Sequence, residues 1–268
     1  MFPFINIFDI VTIPVYGLVF LVAFFAAIII ARSYAPSHGL SKMDTLFGAI
    51  YAGIGILIGS KVLYFITKLP FIIKHFDKYM RYLKDFPMDA LNYAFGGLVF
   101  YGGLIGALLF ILIYCHQFKL SFLKYMDVFA PLIPFVHGFG RIGCFLSGCC
   151  YGIEYHGIFA VRFPYNQIVP ELNEVTRFPV QLLEALLNFI VAAILFLLLK
   201  FKKMKPGQLL GIYLLYYTIA RYLLEMLRGD IMRGKIGSIS TSQIISLLLL
   251  PMAILFISGK LKPKNQNL

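Results

Sequence analysis

The sequence predicts an all-α, polytopic integral membrane protein with about seven transmembrane helices and an interfacial amphipathic helix. Three observations carry this. The 268 residues have a mean hydropathy of +0.84 and only 13% charged side chains, far from the balance of a soluble domain. Seven apolar runs are each long enough to cross a hydrocarbon layer, which takes roughly 17–25 residues. The runs lack the period-two alternation of barrel strands.

The runs lie at about 14–32, 44–66, 96–114, 121–141, 179–199, 207–226 and 241–258, and the whole chain, 1–268, reads as a single transmembrane domain. The first has no basic residues before it and no evident small-residue cleavage site after Arg32, so it reads as a retained span and not a leader. Between the second and third runs, Phe71, Ile72, Phe76, Tyr79 and Leu83 recur at helical spacing among Lys68, Lys74, Lys78, Arg81 and Lys84. That pattern predicts an amphipathic arm over 68–95 lying in the membrane interface. Residues 148–178, the longest polar stretch, are expected to form an outer loop or small head over the functional site.

Lysines cluster after odd-numbered runs, at Lys119 and Lys124, at Lys200, Lys202, Lys203 and Lys205, and at Lys260, Lys262 and Lys264. The positive-inside tendency places these in the cytoplasm, with the N-terminus outside and the C-terminus inside. The net charge of +12 comes without any soluble basic domain, so anionic membrane lipids are the expected partner and nucleic acid is not.

Polar residues inside an apolar run are costly and mark function. Tyr16, Tyr101, Gln181, Glu184 and Gln243 lie near the starts of odd-numbered runs, and Arg141, Arg221 and Glu225 toward the ends of even-numbered ones, which implies one polar chamber at one membrane face. In "ARYLLEMLRGD", Arg221, Glu225 and Arg228 stand at i, i+4 and i+7, the spacing of one helix face. Alone they read equally as an interfacial ion pair. With Arg141 added, two or three guanidiniums around one carboxylate leave positive charge that matches the oxygens of a phosphate ester, and a phospholipid headgroup is the abundant candidate. Glu225 would orient an arginine or move a proton.

In "HGFGRIGCFLSGCCYG" the glycines at 138, 140, 143, 148 and 152 read either as an anion-binding nest of backbone amides or as close helix contacts, with the nest favoured. Cys144, Cys149 and Cys150 read first as small inert thiols. A metal site would need His137 or His156, and a thiolate beside Arg141 is the remaining alternative. The pairs Gly55 with Gly59 and Gly102 with Gly106 have the small-xxx-small spacing of helix contacts. No cofactor motif and no metal site is expected.

These stretches resemble the prolipoprotein diacylglyceryl transferase family across nearly the whole chain: "IPVYGL", "GGLVFYGGLIG", "GRIGCFLSGCCYG", "FPVQLLE", "RYLLEMLRGD" and "STSQIISL", in that order. The resemblance implies a seven-helix membrane fold in a bacterial inner (plasma) membrane, with the active site toward the outer leaflet. It implies transfer of the diacylglyceryl group of phosphatidylglycerol to the lipobox cysteine thiol of a preprolipoprotein, releasing glycerol phosphate. Motif matching gives functional positions to Tyr16, Arg141, Gly152, Arg221 and Glu225, with the two arginines on the phosphate, and fits Gln181, Glu184, Arg228 and Gln243 to family segments. Departures from the family pattern are equally specific. Tyr101 precedes Gly102 and Gly103 where the family usually has His-Gly-Gly, its histidine being a proposed base, while Cys144, Ser147 and Cys149 replace two asparagines and an acid. A related transferase with another acceptor, or a noncatalytic lipid-binding membrane protein, is the alternative reading.

Overall fold

In the computed structural model, the described residues are 4–7, 11–163, 175–229, 235–236 and 239–260. They are nearly all helical, as the apolar runs predict, with two short antiparallel hairpins added. Contacts divide the chain into two compact units, one drawn from Met1–Tyr34 and Leu123–Lys264, the other containing Ala35–Phe122.

The first unit begins with a hairpin of β1 (Phe4–Ile7) and β2 (Val11–Pro14), which leads directly into α1 (Val15–Tyr34). Ala23, Ala27 and Ala31 line one buried face of α1, while Leu21, Val22, Phe25 and Ile29 on the other faces are exposed. Large apolar side chains exposed along a helix almost free of charge fit a lipid surround and not water.

The next two helices, α6 (Phe122–Phe129) and α7 (Leu132–Ser147), are bent 43° from each other. The break falls at Ala130 and Pro131, where the proline ring and its missing N–H interrupt the hydrogen-bond ladder. After the small β-paired segment comes α8 (Val180–Phe201), then α9 (Gln208–Leu224), the two-residue strands β3 (Lys235–Ile236) and β4 (Ile239–Ser240), and α10 (Thr241–Ile257).

Asp127 of α6 performs a capping task for a distant helix. Its two carboxylate oxygens accept from the Gly207 and Leu210 amides, at 2.6 and 2.9 Å, at the N-terminus of α9. Helix N-terminal amides have no partner within their own helix, and a carboxylate there also meets the positive end of the helix dipole.

The second unit is built on α2 (Lys42–Lys74) and α5 (Phe100–Gln117), with α3 (Phe76–Asp85) and α4 (Pro87–Phe95) between them in sequence. Ser41 and Asp44 form a capping box that starts α2, and Tyr114 of α5 donates to Asp44 Oδ1 at 2.9 Å. The four glycines of the small-xxx-small pairs lie in this contact. A Cβ on Gly55 would strike the Gly106 carbonyl, and one on Gly59 the Gly102 carbonyl, so only hydrogen permits this backbone approach. Gly103 also faces α2, where an added Cβ would be 2.6 Å from Ser60 Oγ.

Thirty-three residues make α2 about 50 Å long, beyond the roughly 30 Å hydrocarbon layer. Residues 68–74 of the expected arm therefore continue α2, and α3 and α4 supply the rest. Lys68 lies over the rings of Tyr64 and Tyr93, at 5.2 and 5.1 Å, and the Tyr79 hydroxyl donates to the Ala90 carbonyl at 3.0 Å. None of α3 is buried.

Each of the seven predicted runs carries helix. Among the described residues three helices, Val15–His38, Lys42–Lys74 and Val180–Phe201, are long and apolar enough to cross a membrane, or four if the bent α6–α7 pair is one span. The segments Tyr101–Gln117 and Ser242–Ile257 are apolar but shorter. The architecture is thus that of a nearly all-α chain with several long apolar helices.

Replacing Asp127 with Ala strips both α9 amides of their acceptor, and the expected cost is about 2 kcal/mol. Thermal unfolding of the detergent-solubilised protein measures it; an unchanged midpoint would show that the cap contributes nothing.

Candidate functional site

The polar residues of the first unit meet at one end of its helices. Arg141 stands six residues before the end of α7, and Glu184 one turn into α8. Arg141 Nη2 lies 2.9 Å from Glu184 Oε1, and His137, one turn earlier on α7, places Nε2 3.4 Å from the same oxygen. Glu184 is 3% exposed, so this is an ion pair inside protein.

A second pair forms at the end of α9. Arg221 Nη2 is 2.8 Å from Glu225 Oε2 and also donates to Ser242 Oγ, at 2.9 Å, in the first turn of α10. A buried charge is tolerated only when paired and hydrogen-bonded, so these contacts fix the facing ends of α7 with α8 and of α9 with α10. Between them, a cavity of about 10 Å³, room for about one water, is lined by His137, Glu184, Asn188, Tyr216, Tyr217 and Arg221.

The pairing changes the charge inventory drawn from sequence. Glu184 is a second carboxylate within the cluster, so Arg141, Arg221 and Arg228 face two acids and one net positive charge remains. Binding capacity remains as well. Arg141 Nε and Arg221 Nη1 are buried N–H donors with no protein partner among the described residues, and Gln181 Oε1 and Asn188 Oδ1 are acceptors in the same condition. Each guanidinium is held through one nitrogen while another stays available to a ligand oxygen.

The expected helical face of Arg221, Glu225 and Arg228 is corrected in its last member. After Leu224 the chain tightens into a single 3-10 turn, Glu225–Leu227, and Arg228 is extended, bridging Gly152. The backbone pairs along this bridge, Ile153 N to Leu227 O and Gly229 N to Tyr151 O, both at 3.0 Å. Gly152 is required there because a Cβ would strike the Phe178 carbonyl. This pairing holds Arg228 within electrostatic range of Arg141.

The nest reading of the glycines is corrected too. Helix α7 runs through Ser147, so the amides of 138, 140 and 143 serve its own hydrogen-bond ladder and cannot cradle an anion. Gly138 gives room to the Phe189 ring, and a Cβ on Gly143 would lie 3.2 Å from Tyr16 Cδ2. Tyr16, on the first turn of α1, is thereby set beside α7, within electrostatic range of Arg141 and the three cysteines. Gly148, at φ +72°, ends the helix in the left-handed conformation that glycine adopts without cost.

Cys150 takes the same conformation, at φ +56°, without that freedom. The Sγ atoms of Cys144, Cys149 and Cys150 lie within 4.8 Å of one another, and all are free thiols. Neither histidine joins them: His137 faces Glu184, while His156 contacts Glu154 and Thr176.

Gln181 is fully buried and donates from Nε2 to the Cys149 carbonyl at 2.8 Å, pinning the turn after α7 to the start of α8. Gln243 has its Oε1 engaged by the Ser240 amide at 3.0 Å in a capping box that begins α10. Tyr101, half-buried, opens α5 in the second unit, where Gly102 and Gly103 pack on α2. Of the expected head at 148–178, residues 148–163 and 175–178 form a β-paired platform, with Val161 and Arg177 exchanging backbone bonds at 3.0 Å. Residues 164–174 lie outside the described residues, as do Lys262 and Lys264.

Sequence reasoning missed Asn188, Tyr216, Tyr217, Ser242 and Arg177, whose guanidinium lies 4.4 Å from the centre of the Tyr151 ring. Asn188 was detectable, being four residues beyond Glu184 on the face that also carries Gln181. Arg177 was not, since its partner is a tyrosine 26 positions away in an irregular segment.

A family model described as prolipoprotein diacylglyceryl transferase matches residues 4–258. The chain belongs to the prolipoprotein diacylglyceryl transferase family. A relative from Clostridium tetani, named phosphatidylglycerol–prolipoprotein diacylglyceryl transferase, is 32% identical over 234 residues, 87% of each chain. One from Clostridium perfringens, named as the second such transferase, is 34% identical over 84% of this chain and 82% of its own. A third, from Photobacterium profundum, is 30% identical over 93% and 90%. Like this prolipoprotein diacylglyceryl transferase family member, those relatives are matched over nearly their whole lengths, so the comparison concerns the complete helical assembly and not an isolated motif.

Changing Glu184 to Ala leaves the Arg141 guanidinium buried without a carboxylate, with an expected loss of about 3 kcal/mol in unfolding free energy. The double change Arg141→Met with Glu184→Leu should recover most of it, because apolar isosteres remove both desolvation costs. If the single change were as stable as the parent protein, the pair would not be holding α7 to α8.

Proposed function

We propose that this chain is a multi-pass transferase of the bacterial plasma membrane. It moves the diacylglyceryl group of phosphatidylglycerol to the thiol of a cysteine in the lipobox of a prolipoprotein, and releases glycerol phosphate. The observation that carries the proposal is the pair of guanidiniums, each oriented by a carboxylate and each retaining a buried N–H donor without a partner among the described residues, in a chain of this family.

In the reaction a sulfur–carbon bond forms at the glyceryl carbon and the carbon–oxygen bond to phosphate breaks. The electron pair of that bond goes to the departing phosphate, which gains one negative charge. Donors already fixed where that charge develops stabilise the transition state without reorganising, commonly the largest catalytic contribution. Arg141 and Arg221 fill that role, with Glu184 and Glu225 as the groups that orient them and Arg228 as a further positive charge at the rim. The acceptor supplies the nucleophile as its thiolate. Tyr16, Gly152 and Gln181 shape the cleft around the phosphate, Gln243 aligns α10, and Tyr101 with Gly102 and Gly103 stands at the family's proposed base position. In this reading the polar end faces the outer leaflet with the N-terminus outside, an orientation supported by the lysines that follow the odd-numbered runs, and the lysines of α3 rest on anionic headgroups.

Purified protein supplied with phosphatidylglycerol should release glycerol phosphate only when a lipobox peptide is present, with equal amounts of diacylglyceryl peptide formed. Release without peptide, or lipid binding without release, would contradict the proposal. Arg141→Lys and Arg221→Lys each keep the charge but lose the two-pronged geometry, and each should lower turnover about 100-fold. Undiminished turnover in either variant would remove that arginine from the phosphate site.

A further inference from the structure

Three sulfur atoms that this mechanism does not use stand together beside it. Cys144 is buried in the last turn of α7, and the left-handed residues Gly148 and Cys150 turn the chain back over that helix end. The cluster is thus assembled by a local reversal of direction, with Cys149 N bonded to the Cys144 carbonyl at 3.1 Å and Gln181 holding the Cys149 carbonyl from α8.

Zinc bound by thiolates at about 2.3 Å requires sulfurs about 4 Å apart. With all three sulfurs inside 4.8 Å, the cluster has to tighten by no more than about 1 Å to enclose such an ion. His137 and His156 are directed elsewhere, so among the described residues the ligand group contains three residues and no fourth. Structural zinc sites are closed by four protein ligands, whereas a three-ligand site keeps one position for an incoming molecule. Zinc with three thiolates carries one net negative charge, and Arg141 and Arg228 are both within electrostatic range of Cys150 to balance it.

We propose that Cys144, Cys149 and Cys150 bind one zinc ion and offer its fourth position to the acceptor thiol; the identity of that thiol rests on the transferase reading above. The incoming thiol displaces a water from the ion and gives its proton to water, because a thiol coordinated to zinc is deprotonated. Its sulfur then forms the bond to the glyceryl carbon while the carbon–oxygen electron pair passes to phosphate. Zinc is neither oxidised nor reduced. The site thus supplies the nucleophile already in its thiolate form.

The full chain, purified in detergent, reduced and cleared of metal with a chelator, is titrated with zinc and in parallel with cobalt as a spectroscopic stand-in. One equivalent of each should bind, with the sulfur-to-cobalt absorption of thiolate ligation. Cys149→Ser, at a half-buried position where a hydroxyl can still donate to the Cys144 carbonyl, should abolish stoichiometric binding while leaving thermal stability and phosphatidylglycerol binding intact. The cobalt spectrum should shift when a lipobox peptide is added and stay unchanged with the same peptide carrying alanine for cysteine. Equal metal uptake by the parent protein and Cys149→Ser would overturn the site, and a spectrum indifferent to the thiol peptide would overturn the open fourth position. Glycerol phosphate release is followed in the same samples. Full transfer in the metal-free protein overturns the zinc inference and leaves the transferase reading standing, whereas metal and thiol binding without transfer supports the site and counts against that reading.

Discussion

A guanidinium within an apolar helix bundle has lost its water and keeps its charge, so its position is dictated by the nearest carboxylate. That constraint organises the first unit. Arg141 on α7 is met by Glu184 on α8, and Arg221 on α9 by Glu225 one turn later and by Ser242 on α10. Because the cost of leaving one partner unpaired is several kcal/mol, the Arg141–Glu184 pair ties α7 to α8, and Arg221, held by Glu225 at the end of its own helix, ties α9 to α10 through Ser242. The same contacts leave Arg141 Nε and Arg221 Nη1 without partners among the described residues, so the interactions that hold the bundle also present donors to a ligand.

Around this charged end the backbone does the remaining positioning. The turn after α7 is pinned by Gln181, and the segment that follows pairs with residues 227–229 at the end of α9, which is why Gly152 and Arg228 arrive together although 76 positions separate them. Where helices must touch, glycine removes the obstacle. Gly143 admits Tyr16, and in the second unit Gly55, Gly59, Gly102 and Gly106 bring α2 and α5 into backbone contact. Such contacts matter more in lipid than in water, because apolar burial gives little advantage when the solvent is itself hydrocarbon.

The helices were legible because an uninterrupted apolar run has few other structures open to it. Their ends were less so. Arg141 read as the close of its segment, since charges usually mark where a helix leaves the membrane; Glu184, on another helix, neutralises it and allows α7 to continue to Ser147. The same partner was counted apart from the arginines, which inflated the expected positive charge. Arg228 read as helical by spacing alone, but its strand-like pairing with Gly152 is nonlocal and leaves no periodic trace. Gln243 and Ser242 are neighbours of equal polarity, and only the rotation of α10 assigns one to capping and the other to Arg221. The three cysteines were visible as a cluster in sequence, whereas their convergence depends on the positive φ of Cys150, an unusual conformation for a residue with a side chain.

If the two oriented guanidiniums receive the phosphate of phosphatidylglycerol, the lipid should be seen there in a cryo-electron microscopy map of the protein in a phosphatidylglycerol-containing nanodisc. A phosphodiester is expected within hydrogen-bond distance of both Arg141 and Arg221, with their pairs to Glu184 and Glu225 retained. A lipid phosphate bound elsewhere, with Arg141 Nε and Arg221 Nη1 still without an oxygen partner, would contradict it.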